Sequence, residues 1–120
     1  MPTATAYVND SIGTAGPAQL VLALYDGALG AIDRARTLLE ASASVETVHI
    51  QLVKAQRIVT ELNVTLDHER GGDIAANLAG LYDFCLRYLV EANLTKDPAK
   101  LPPVTDVLRG LRQAWAQACC

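Results

Sequence analysis

The sequence predicts an all-α fold, an antiparallel four-helix bundle with a short N-terminal arm, and three observations carry that prediction. Nineteen Ala and seventeen Leu supply 36 of the 120 residues, while Phe, Trp and Met occur once each. Ala and Leu lose little side-chain freedom on entering a helix, whereas a sandwich or barrel would draw on Val, Ile, Thr and aromatics. Glycine and proline cluster at a few places and cut the chain into segments of helical length. Within those segments apolar residues recur at spacings of three and four, the period of a helix face.

Each element follows from this punctuation. Residues 1–15 are small and polar, with Tyr7 and Ile12 as isolated larger apolar groups, and read as a flexible arm. Gly16-Pro17 opens the first helix, because proline in the first helical position gives up no hydrogen bond that would have formed. Gly16 is a weaker cap than Ser or Asp. The helix runs to about residue 40, where Ala41-Ser42-Ala43-Ser44 breaks it. A second helix is expected from about 45 to 67, stopped by Gly71-Gly72, and Asp73 is placed to cap a third that continues to about 94. A helix begun at Pro98 would lose backbone bonds at Pro102 and Pro103. The fourth is therefore expected from about 103 to 118, with room for a separate turn before it. The bundle thus spans residues 16–118, with residues 119–120 as a tail. Connections this short make successive helices antiparallel.

The widths of the apolar stripes carry the functional signal. In the second helix Val48, Leu52, Ala55, Val59, Leu62 and Leu66 form an a/d seam. The fourth gathers Val104, Val107, Leu108, Leu111, Ala114, Trp115 and Ala118 on one side. In the first, Val21, Leu24, Tyr25, Ala28, Ile32, Ala35 and Leu39 make the core face, and Leu22 and Leu29 stand well round from its centre. The third is broader still: Ile74, Leu78, Leu81, Tyr82, Phe84, Cys85, Leu86, Tyr88, Leu89 and Val90 spread over roughly two-thirds of its circumference. Ile50, Val53 and Val64 make a smaller second patch on the second helix. A bundle helix needs an apolar face a little over 100° wide, so the rest is surplus. Two explanations stand side by side. A central third helix, a covering arm or a homodimer would absorb the surplus structurally, whereas a groove receiving amphipathic segments of another protein would use it.

Composition excludes several classes. The net charge of −3 and scattered basic residues argue against nucleic acid. No uncharged run is long and unbroken enough to cross a bilayer, and the N-terminus lacks the basic start and apolar stretch of a secretory signal. Three cysteines, two of them adjacent at the end, make no disulfide framework and point to a reducing cytosol. His49 and His68 fit no metal-binding spacing, there is no phosphate-binding loop, and Cys85 falls among core residues, so no metal, cofactor or catalytic residue is expected. Asp26, beside the apolar face in Tyr25-Asp26-Gly27, suits a structural bond or a binding contact equally.

Three stretches bear a resemblance to a known family. The first is Ala15-Gly16-Pro17-Ala18-Gln19-Leu20 followed by Leu24-Tyr25-Asp26-Gly27-Ala28. The second runs from Ala55-Gln56 through Glu61-Leu62 and Leu66-Asp67 to Glu69, Gly71-Gly72-Asp73-Ile74-Ala75 and Asn77-Leu78. The third is Leu81-Tyr82-Asp83, then Arg87, Leu89, Glu91-Ala92-Asn93 and Lys96-Asp97-Pro98, with Trp115 near the end. Together they resemble FliS, the flagellar secretion chaperone family that holds flagellin before export, in order along nearly the whole chain. Gly16 stands where that family commonly has Ser and Ala23 where a Met is usual. Pro102-Pro103 and the Cys119-Cys120 ending also depart from it.

The resemblance implies an antiparallel bundle without enzymatic activity, working in the cytosol. Its partners would be the C-terminal region of flagellin, disordered in the free monomer, and the cytoplasmic domain of the flagellar export gate. It further implies an arm that covers part of the groove when no client is bound. The surplus apolar residues are then the expected contacts: Leu22, Leu29, Ile50, Val53, Val64, Tyr82, Tyr88 and Leu89, with Tyr7 and Ile12 from the arm. Neither nucleic acid nor membrane insertion is expected, and a homodimer is the alternative use of the same surface without client.

Overall fold

The computed structural model describes residues 16–119. Four helices make the bundle: α1 (Pro17–Glu40), α2 (Val45–Val64), α3 (His68–Thr95) and α4 (Leu101–Cys119), with one 3-10 turn, Pro98–Lys100, leading into α4. In cross-section they form a square in which α1 packs on α2 and α4, and α3 packs on the same two. The arm residues Tyr7 and Ile12 lie outside the described residues.

Local chemistry sets each boundary. Pro17 occupies the first turn of α1 behind Gly16, which offers no side-chain cap. At its other end Ser42 adopts a positive φ of 55°, and the Ala43 N–H donates to the Leu38 carbonyl at 2.9 Å, closing the last turn. Ser44 caps α2 by accepting from the Thr47 N–H.

The α2–α3 junction differs from the sequence expectation. Helix α2 ends at Val64, and Asp67, expected to be its last residue, instead caps α3 by accepting from the Arg70 N–H at 3.1 Å. Gly71-Gly72 breaks the helix as expected, but one turn into α3 rather than at the end of α2. There Gly72 takes φ 48°, ψ −122°, and the helix resumes at Asp73. The Asp67 carboxylate starts a short first turn, and Gly72, in a backbone conformation that L residues rarely adopt, ends it before the main length of the helix. Helix α4 starts two residues earlier than expected, with Pro102 and Pro103 inside its first turn, where their missing N–H groups have no intrahelical acceptor to lose.

The buried core follows the predicted seam on α2, with Val48, Leu52, Ala55, Val59 and Leu62 enclosed. Ala28, Ala31, Ile32 and Ala35 of α1, Cys85, Leu89 and Ala92 of α3, and Leu101, Val104 and Leu108 of α4 complete it. Alanines on α1 let α2 approach closely, and a Cβ on Gly27 would stand 3.2 Å from Ile58 Cδ1. Across the diagonal, the Tyr25 and Tyr82 hydroxyls meet at 2.6 Å, joining α1 to α3 inside the core.

Candidate functional site

The four core stripes do not stay closed along their whole length. Where α1 and α3 begin and α2 and α4 end, they part around an apolar groove of about 780 Å³. Its walls carry Leu20, Val21 and Leu24 from α1, Leu62 and Leu66 from the end of α2, Ile74 and Leu78 from α3, and Leu111 and Trp115 from α4. Many of the remaining lining residues are small, among them Ala18, Gly71, Ala75, Ala114 and Ala118. They continue the stripes without filling the space between them. Tyr25 and Tyr82, each 2% exposed, line the groove and mark where it meets the closed core.

Two polar contacts tie α4 to α1 along one side of the groove. Trp115 Nε1 donates to the Ala18 carbonyl at 2.8 Å, tying the end of α4 to the first turn of α1. Two turns along the same pair of helices, Arg112 donates to both carboxylate oxygens of Asp26, at 2.8 and 3.3 Å. This settles Asp26 as a structural residue of the α1–α4 seam. Charge is confined to the rim, where Glu61, Asp67 and Arg70 stand exposed. Burial keeps the polar groups beside the groove neutral. It raises the Tyr25 and Tyr82 phenols well above their usual range, helped at Tyr25 by the bond to Tyr82, and pushes the Cys85 thiol up to about 11. Cys85 is thus a core thiol, as its place in the stripe implied. Cys119 is exposed at the end of α4 and disulfide-bonded.

Of the expected contact residues that lie among the described residues, the structure brings only Tyr82 to this groove. Leu89 is fully enclosed in the core, and Tyr82 is buried as well, so neither belongs to a surplus surface stripe. Within the broad apolar spread of α3, Leu78, Phe84, Leu86 and Tyr88 pack against the core, whereas Ile74, Leu81 and Val90 stand exposed. Leu29 is half-buried beside a second, smaller depression of about 220 Å³ between α1 and α4, bordered by Asp33, Arg36, Asp106 and Arg109. Leu22 is half-buried on α1. Tyr88 packs against Phe84 with ring centroids 4.4 Å apart, and Lys100 lies over its ring. Ile50 and Val64 are exposed, and Val53 is half-buried. The His49–Asn93 hydrogen bond aligns α2 against α3. In that antiparallel register Ile50 and Val53 run along the same stretch as the exposed Val90 and Leu94.

Val21, Leu24, Leu62, Leu66, Leu111 and Trp115 belong to the core faces that the spacing predicts, and only the aligned ends of the stripes reveal them as a surface.

Fold and groove together define a small helical-bundle protein with one deep apolar surface. The family model for flagellar protein FliS matches residues 1–120, and the chain belongs to that family. It is 39% identical over 114 residues to the flagellar secretion chaperone FliS of Bacillus subtilis (strain 168), covering 95% of this chain and 84% of that protein. It is 40% identical over 111 residues to the flagellar secretion chaperone FliS of Salmonella typhimurium, covering 92% and 82%. The protein of that name in Campylobacter jejuni is 32% identical over 112 residues, covering 93% and 87%. Among the described residues no helix is long and apolar enough to cross a membrane.

Proposed function

We propose that this chain is a cytosolic, non-enzymatic chaperone that holds the C-terminal segment of flagellin and hands it to the cytoplasmic domain of the flagellar export gate. The observation that carries this reading is the apolar groove at the open end of the bundle, formed by all four helices. A segment that is disordered when free and amphipathic when helical would lay its apolar face there, and with that face covered it could not polymerise. Ordering such a segment costs a few kcal/mol, which burial of apolar surface offsets. The Ile50–Val53 region of α2, with Val90 and Leu94 of α3, offers an extended client a second apolar landing place. Leu22, Leu29, Val64 and Tyr88 remain proposed contacts at its margins. Release needs no nucleotide or cofactor: the export gate competes for the client.

Residues 1–15 are attached at the rim of the groove, because Pro17 and Ala18 line it. Their Tyr7 and Ile12 would then compete with the client, and deleting residues 1–15 should change its affinity or on-rate. A truncation that alters neither removes the arm from the mechanism.

Titration calorimetry with a peptide of the last forty or so flagellin residues tests the central claim. Saturable 1:1 binding with a negative heat-capacity change is expected, and none with flagellin lacking that segment. Trp115, the only tryptophan in the chain, lines the groove and should report occupancy by fluorescence. The competing reading is that the groove is a homodimer surface. Size-exclusion chromatography separates the two, since an oligomer that ignores the peptide would replace the chaperone reading.

A further inference from the structure

Two phenols carry two hydroxyl hydrogens, and the 2.6 Å contact between Tyr25 and Tyr82 uses one of them. Among the described residues neither hydroxyl has another partner. Among the described residues a second hydrogen is therefore left without an acceptor, on a pair that is buried and lines the groove. Buried donors are ordinarily satisfied, so this one needs an explanation. The walls around it offer a client only non-directional apolar burial, which sets no register along the groove. One directional bond would set it.

We propose that the Tyr25–Tyr82 pair holds this hydrogen in reserve for an acceptor on the bound segment and so fixes which residue of that segment sits over the pair. This rests on the reading that the groove holds a helical client. A helix satisfies its own carbonyls except in the last turn. The acceptor is therefore a side-chain oxygen of Asn, Gln, Ser or Thr on the client's apolar face.

The assignment makes stability and affinity respond in opposite orders. Tyr25→Phe or Tyr82→Phe alone breaks the pair and strands one hydroxyl, yet leaves one hydrogen to donate. The double variant removes both groups and strands nothing. Thermal unfolding should therefore rank the double variant above both single variants. Calorimetry with the flagellin C-terminal peptide should show about a tenfold affinity loss in the double variant, and no more than about threefold in at least one single variant. An Ala scan of the peptide's polar residues should find one whose replacement reproduces the loss with the unmodified chain and is silent with the double variant. Unchanged binding by the double variant overturns the proposal alone. So does a loss in both single variants as large as in the double, or a scan with no such residue. A peptide that fails to bind the unmodified chain overturns the chaperone reading and this assignment with it.

Discussion

At one end of the bundle, where α1 and α3 finish and α2 and α4 begin, Ile32, Ala35, Val48, Leu52, Leu89, Ala92, Leu101 and Val104 are each at most 2% exposed. At the other end Val21, Leu24, Leu66, Leu78, Leu111 and Trp115 occupy equivalent positions on the same helix faces and are only partly covered. Hydrophobic periodicity is the same at both ends, but coverage is not. The closed end sets branched residues from all four helices against one another, and the 3-10 turn Pro98–Lys100 packs beside them. The open end interleaves its Leu and Val with Ala18, Gly71, Ala75, Ala114 and Ala118, which keep the pattern apolar while leaving the interior unfilled. A core and a groove can thus be made from one continuous set of stripes, closed where the helices pack against one another and open where they part.

The sharpest way to break this comparison is to delete the same atoms at both ends. Leu89→Ala, at the closed end, should cost about 3 kcal/mol of folding stability through lost transfer energy and a residual cavity. Leu78→Ala, on the groove wall, should cost about 1 kcal/mol or less, because its surroundings are already open. Client affinity should follow the reverse order, unchanged per folded molecule for Leu89→Ala and reduced for Leu78→Ala. Urea unfolding and peptide calorimetry on both variants check the pair. Equal stability losses would mean that the two ends are packed alike.

This contrast also explains what could be read in the sequence. The fold was legible because helix periods, proline positions and the Ala/Leu composition are local properties. Val48, Leu52, Ala55, Val59 and Leu62 on α2 were placed from spacing alone and are buried. The groove was less legible because it depends on which ends of four stripes meet. Looking for surplus width drew attention to Leu22, Leu29, Ile50 and Val53, away from the stripe centres where Val21, Leu24, Leu78 and Leu111 line the opening. The α2–α3 boundary was misplaced for a similar reason. Two glycines are a visible stop signal, but the choice of helix for Asp67 turns on the hydrogen bond it makes to the Arg70 N–H.

Alkaline pH probes the border between the two ends, where Tyr25, Tyr82 and Cys85 lie. Each is an acid whose proton the fold holds more tightly than the unfolded chain does. Near neutral pH all three are protonated in both states and add no pH dependence. As pH rises above the ordinary thiol value of 9.0 the unfolded chain loses protons that the fold retains, and stability falls until the folded Cys85 titrates at about 11. The loss should be on the order of 2 kcal/mol from Cys85 alone, read as a falling urea midpoint between pH 9 and 11. A flat profile over that range would place these groups in water and move the border of the core.

Smaller effects come from backbone and surface. Gly72 holds a positive φ at the kink beside the groove mouth, so Gly72→Ala should destabilise by about 1 kcal/mol. Gly80, farther along α3 in regular helix with open space around its Cα, should respond with the opposite sign. Gly80→Ala is expected to stabilise by up to about 1 kcal/mol. Thermal unfolding of the two variants tests whether the kink is confined to the open end. Two shifts of the same sign would argue that it is not.

The smallest expected effect concerns how the groove wall is held. Asp26 and Arg112 link α1 to α4, but both side chains are about half exposed, so water and salt screen their attraction. Asp26→Asn keeps the shape and one oxygen acceptor while removing the charge. It should lower stability by less than about 0.5 kcal/mol, and the difference should vanish in high salt. The wall is tied again by the Trp115 bond to the Ala18 carbonyl, a neutral contact that salt does not weaken. Peptide affinity should therefore stay unchanged in Asp26→Asn. If affinity fell while stability held, the ion pair would be setting the width of the groove, and its opening would depend on charge as well as on apolar packing.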